Sequence, residues 1–190
     1  ISLYLLGKHE EAITVFEEAL KLFPQVLRFY DHLGRVYLTT GNYEEAIKTL
    51  NSGLRFANVR PPSMLAYLAI AYVNLRQEAR AHELVNELIQ RSEMNEKGVN
   101  FYIAHIFTAW GNVKAATEWI RKAEQTNDID LIWRDVDPLL AGLRGGSPDV
   151  ASTPDFEAAE SSVLRKLKEE LPKNLHYHNI DHTLDVLQAA

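Results

Sequence analysis

The chain has 190 residues, a net charge of −6 at pH 7 and no cysteine. The acidic balance, without a run of basic residues, argues against a nucleic-acid partner, because phosphate binding needs clustered Lys and Arg. The lack of cysteine excludes disulfides and cysteine-ligated zinc and favours a reducing, cytoplasmic compartment, and no apolar run reaches the roughly 20 residues of a membrane span. The chain opens with "ISLYLLGKHEEAI", which has no initiator Met, so we expect a piece of a longer protein.

A period of 34 or 35 residues runs through the first two thirds of the chain. In each unit a turn residue is followed, five positions later, by alanine, which allows two helices to approach closely. A glycine at the turn can adopt positive φ and end the first helix. The pattern predicts four stacked helical hairpins, the first without most of its opening helix. The turn residues are Gly7, Gly41, Arg76 and Gly111, and the alanines are Ala12, Ala46, Ala81 and Ala116.

Residues 27–60 form the unit that resembles the tetratricopeptide repeat (TPR) family most closely, and the resemblance extends over residues 1–130. It implies an all-α fold, a right-handed solenoid of helical hairpins with an inner groove for a peptide or helix. Arg76 departs from the family's turn glycine, and we expect it to cost about 1 kcal/mol if its φ is positive. The matching residues are Tyr30, Leu33, Gly34, Tyr37, Gly41, Ala46 and Gly53.

Residues 128–144 resemble the segment that ends some TPR arrays. In that segment a short helix and a turn cover the last exposed apolar face, as a solenoid requires. We therefore predict a capping helix, so that the array with its cap spans residues 1–144. The apolar side chains for this role are Leu131, Ile132, Trp133, Val136, Leu139, Leu140 and Leu143.

Residues 145–155 are rich in Gly, Pro and Ser, which is typical of a linker. After it, apolar residues recur at steps of three and four and predict an amphipathic helix that ends before Pro172. A second helix is predicted from Asn179. We expect these two helices, within residues 156–190, to form the start of a further helical domain.

Three histidines cluster in "NLHYHNIDHTLDVLQAA" near the end of the chain. His178 and His182 are four residues apart, a spacing that suits zinc on one helix face. The run lacks the glutamate of the zinc-protease motif, however, and His178 lies outside the helix if Asn179 caps it. Zinc-peptidase chemistry is therefore disfavoured, and His176 receives no role.

The same run resembles the opening of HD-type metal-dependent phosphohydrolase domains, as found in bacterial signalling proteins. The resemblance implies that His182 is a first metal ligand and that a metal-activated water attacks a phosphoester. The family's later His-Asp pair does not occur in these 190 residues. We therefore expect no catalysis and no cofactor in this chain, and a divalent metal only in a longer parent protein.

Two functions stay open at this point. The first is a scaffold that binds a protein partner, expected to be an apolar peptide or helix or an intramolecular segment, in the TPR groove, as the regulatory arm of a signalling protein. The alternative is part of an HD-type phosphohydrolase, or of a cyclase or kinase linked to such a domain, whose catalytic portion lies beyond this chain. The predicted groove residues are Arg28, Asp31, His32, Arg35, Leu38, Tyr67, Ile70, Asn74, Phe101, Tyr102 and His105.

Overall fold

The computed structural model describes residues 2–144. The predicted linker, the two predicted helices after it and His182 lie outside these residues. Within them the chain is helical throughout, as predicted, and contains no helix long and apolar enough to cross a membrane. The α-helices are α1 Ser2–Leu5, α2 His9–Leu22, α3 Leu27–Thr39, α4 Tyr43–Leu54, α5 Pro62–Asn74, α6 Glu78–Glu93, α7 Val99–Ala109 and α8 Val113–Gln125, followed by 3-10 helices at Ile129–Trp133 and Pro138–Arg144.

The four predicted turns all have the same backbone geometry. Each turn residue has positive φ, 70° at Gly7, 75° at Gly41, 59° at Arg76 and 72° at Gly111. In each case the next amide donates to the carbonyl five residues earlier, at 2.8–2.9 Å. This bond satisfies a carbonyl at the end of the first helix of each hairpin, as a left-handed helix end requires. The prediction of four hairpins, with α1 as the remnant of the first opening helix, is confirmed.

Arg76 is the non-glycine residue among these four turns, and it provides a direct test of the turn's conformational cost. Replacing Arg76 by Gly is expected to raise the free energy of unfolding by about 1 kcal/mol, because φ of 59° is unfavourable for a side chain with a Cβ. The measurement is urea unfolding followed by circular dichroism. Gly41→Ala, at φ of 75°, is the matched control and should lower stability by a similar amount. A loss of stability in Arg76→Gly would contradict this account.

Helix α5 is the centre of the core. It contacts α3, α4, α6 and α7, and every residue from Met64 to Ala71 is buried. The apolar residues of α5 therefore lie on all sides of the helix rather than along one face. The four predicted alanines are also fully buried, which confirms their role in close helix approach.

The cap predicted at residues 128–144 is confirmed, but it consists of two 3-10 helices. Leu140 is fully buried against a cluster on α7 and α8 that includes Phe101 and Ile120, and Leu131, Trp133 and Leu143 pack around it. The Asp128 side chain anchors the cap to the start of α7, because its carboxylate accepts hydrogen bonds from the amides of Gly98 at 3.1 Å and Phe101 at 3.2 Å.

Candidate functional site

Three side chains from three different helices converge on Asp137, which lies between the two 3-10 helices. Asp137 Oδ2 forms an ion pair with Arg35 Nη2 and a hydrogen bond with His105 Nε2, both at 2.9 Å. Asp137 Oδ1 accepts from Tyr4 Oη at 3.3 Å and from the Leu139 amide at 3.0 Å. We call Tyr4, Arg35, His105 and Asp137 the Asp137 cluster. It joins the first and last helical segments of the described chain.

The repeat register explains why Arg35 and His105 meet. Arg35 lies six residues before Gly41, and His105 lies six residues before Gly111. The two side chains therefore occupy the same position in the second and fourth repeats, and stacking directs them to the same side of the array. Ile70 occupies this position in the repeat between them and is buried.

The His105 ring is held between two hydrogen-bond partners. The ring is fully buried, with Nδ1 2.9 Å from the Phe101 carbonyl oxygen and Nε2 2.9 Å from the Asp137 carboxylate. The Phe101 carbonyl and the Asp137 carboxylate therefore each hold one ring nitrogen and fix the orientation of the His105 ring. Burial by itself raises the pKa of Asp137, but the Arg35 guanidinium and the His105 ring outweigh burial and hold that pKa well below its usual range.

Tyr4 holds Arg35 from a second side. The guanidinium carbon of Arg35 lies 4.3 Å from the centroid of the Tyr4 ring, within the range of a cation–π contact. Burial raises the pKa of the Tyr4 hydroxyl, so this group stays protonated and donates to Asp137. Arg35 Nε is buried without a hydrogen-bond partner among the described residues. The cluster therefore contains one cation that is only partly satisfied.

The predicted groove residues lie on α3, α5 and α7, but they do not form an open groove. Residues 129–139 pack on the side of α3, α5 and α7 where the groove was predicted, and they place Asp137 and Leu139 there. Partner binding by these side chains stays a prediction. Buried are Arg35, Leu38, Tyr67, Ile70, Phe101 and His105; half-buried are Asp31, His32 and Tyr102; exposed are Arg28 and Asn74.

Asp31 and His32 form a polar pair at the edge of this region. Burial raises the pKa of Asp31 to about 6, the charge of Asp130 adds to the shift, and the nearby Ser63 hydroxyl and Arg35 only partly oppose it. Asp31 Oδ1 has no hydrogen-bond partner among the described residues. Burial also lowers the pKa of His32 to about 4. At neutral pH the pair therefore carries a costly negative charge beside a neutral ring.

The raised pKa of Asp31 predicts a pH-dependent effect of Asp31→Asn. Since the folded-state pKa of about 6 exceeds the ordinary 3.8, the folded chain binds more protons between these values, and wild-type stability falls as pH rises through this window. Asp31→Asn has no titrating carboxyl at this position, so its stability does not fall in this way. We expect it to be more stable than wild type above pH 7, by on the order of 1 kcal/mol, and to lose this advantage towards pH 4. Urea unfolding at several pH values measures it.

His32 titrates in the same window with the opposite sign, but it is present in both proteins and cancels in their difference. Glu45→Gln, an exposed carboxyl, is the control and should show no pH-dependent gain. An advantage of Asp31→Asn that is equal at pH 4 and pH 7.5 would refute the charge explanation.

Sequence reasoning identified Arg35 and His105 but missed Tyr4 and Asp137. The available signal was an aspartate, Asp137, within the apolar run of the cap. Its partners lie 133, 102 and 32 positions away, at Tyr4, Arg35 and His105, so periodicity could not link them. Among residues 2–144, no group of three His, Asp or Glu side chains is arranged to hold a metal ion.

Comparison with known proteins supports the repeat assignment. The family model described as tetratricopeptide repeat matches residues 3–62, which cover α1 to the start of α5. No curated protein matches the chain. TPR repeats generally mediate protein–protein interaction. The described part of this chain is a TPR-like helical solenoid, with a tetratricopeptide match in its first two hairpins.

Proposed function

We propose that this chain is a protein-interaction scaffold that binds a peptide or helix on the inner side of α3, α5 and α7, as the regulatory arm of a cytoplasmic signalling protein. The observation that carries the proposal is the burial of Arg35 and His105 at a position that Ile70 fills in the intervening repeat. Burying a charged or polar side chain costs desolvation free energy that an apolar residue avoids. Stacking alone therefore does not account for them, whereas pairing with a carboxylate such as that of Asp137 does, and a bound peptide can supply the same chemistry.

The exposed and half-buried residues at the edge of this region can make the first contact with such a partner. Arg28 and Asn74 are exposed, and Asp31, His32 and Tyr102 are half-buried. They combine a cation, an amide, an acid and aromatic rings, which can bind a peptide backbone and its side chains together.

The chain contains no cysteine, so a single introduced cysteine can carry a fluorescent reporter. We would select peptides from a random library on the full chain. Their binding would then be followed with an environment-sensitive dye at Arg28→Cys on the inner border, or at exposed Lys48→Cys on α4. The expected result is a saturable signal at position 28 and none at position 48. A signal at position 48 alone, or a library without enriched peptides, would refute the proposal.

A second candidate is a role within an HD-type metal-dependent phosphohydrolase. The sequence around His182 favours it, and this residue lies outside the described region. The proposal expects the reading frame after residue 190 to encode a helix with a His-Asp pair and a later aspartate. Further repeats or a stop codon there would rule it out.

A further inference from the structure

We propose that residues 129–144 are an internal occupant of the binding region, and that the external partner is an acidic segment of the same chemistry. The partner's anchor is an Asp or Glu side chain that replaces Asp137 between Arg35 and His105. Large aliphatic side chains such as leucine follow it within three residues. This inference rests on the proposed function and names the partner class for the same site.

The Arg35 and His105 side chains are held in place by groups other than Asp137. The Arg35 guanidinium lies against the Tyr4 ring, at 4.3 Å from its centroid. The His105 ring donates to the Phe101 carbonyl at 2.9 Å and packs edge-on against the Phe101 ring at 4.7 Å. Both donors therefore stay oriented when Asp137 leaves, and a second carboxylate finds a preorganised site.

The apolar part of the motif follows from the residues after Asp137. Leu140 is fully buried among α7 and α8 side chains that include Phe101 and Ile120. Leu139 packs against the main core. A partner therefore needs its carboxylate two or three positions before its apolar anchors.

Opening residues 129–144 costs less free energy than opening a repeat hairpin. This segment consists of 3-10 helices of 5 and 7 residues, which have poorer hydrogen-bond geometry than α-helices. Segments of this kind open locally before the core does.

Charge selects which ligand can replace the occupant. Once Asp137 leaves, the buried Arg35 guanidinium and the buried His105 ring would lack their carboxylate partner. A neutral peptide leaves them without this partner, which is costly, whereas a carboxylate restores the ion pair with Arg35 and the hydrogen bond with His105. Residues 129–144 and the external partner therefore compete for the same two side chains, Arg35 and His105.

The test uses the full chain with Asp137→Asn and a fluorescent peptide of residues 128–144. We expect this variant to bind the natural peptide at least tenfold more tightly than a control peptide that carries Asp137→Asn itself. The wild-type chain, whose own segment occupies the site, should bind the natural peptide at least tenfold more weakly than the variant does. Equal binding of the two peptides, or no binding to a variant with wild-type circular dichroism, would overturn the inference.

Hydrogen exchange on the wild-type chain keeps the inference testable if the variant does not fold. Amides of residues 129–144 should exchange at least tenfold faster than those of α5, and faster still when a library-selected peptide binds. Exchange as slow as in α5, or unchanged by a bound peptide, would overturn it. Selected peptides that report at position 28 but share no acidic residue would overturn this inference while leaving the proposed function intact.

Discussion

Phe101→Ala is expected to lower the free energy of unfolding by about 3–5 kcal/mol, because the ring is 2% exposed and its removal leaves a cavity between α7, α8 and the cap. Phe23→Ala removes the same atoms from a side chain that is 58% exposed and should change stability by no more than about 0.5 kcal/mol. Urea unfolding monitored by circular dichroism at 222 nm compares the two variants.

Phe101→Ala and Phe23→Ala together distinguish a core role of Phe101 from a ligand-binding role. The sequence placed Phe101 in the groove, where a truncation would impair partner binding and leave stability nearly unchanged. A loss below about 1 kcal/mol in Phe101→Ala would show that its burial contributes little, and would reopen the groove interpretation.

Leu50→Ala is expected to cost about 2–5 kcal/mol, since Leu50 is fully buried on α4 and packs directly on Gly34 of α3. Leu22→Ala, at a side chain that is 73% exposed, is the matched control. The same urea experiment measures both, and similar losses in the two variants would contradict the packing described.

A double variant tests the contact itself. A Cβ at Gly34 would lie 2.5 Å from Leu50 Cδ2, so Gly34→Ala alone should destabilise the chain by about 1–3 kcal/mol. In the Leu50→Ala background that methyl group enters the vacated space, so the double variant should lose less than the sum of the two single losses. Strict additivity would show that the two residues do not share the contact.

The hairpins were predictable because the physics that produces them is local. A residue with positive φ, an alanine five positions later and an apolar stripe recur within each unit, and all four turns follow this pattern. Arg76, which departs from the turn glycine, has the positive φ on which its expected cost depended.

The turns between hairpins were harder to predict from the sequence. Asn95 and Asn127 end α6 and α8 with φ of 60° and 52°, and the sequence analysis assigned them no such role. Asparagine tolerates this conformation, but it is also common in ordinary loops, so its presence alone did not predict a left-handed helix end.

By itself, the sequence determined the all-α repeat array and the apolar cap, because each depends on spacings shorter than one repeat. Only the tertiary structure decided that the cap reaches back to α1 and α3 and that Asp137 joins Tyr4, Arg35 and His105. Stacking sets the distances between these residues, and stacking depends on how every hairpin packs on the next. Candidate groove residues could therefore be proposed from the sequence, whereas the burial of Arg35 and His105 beneath the chain's own segment could not.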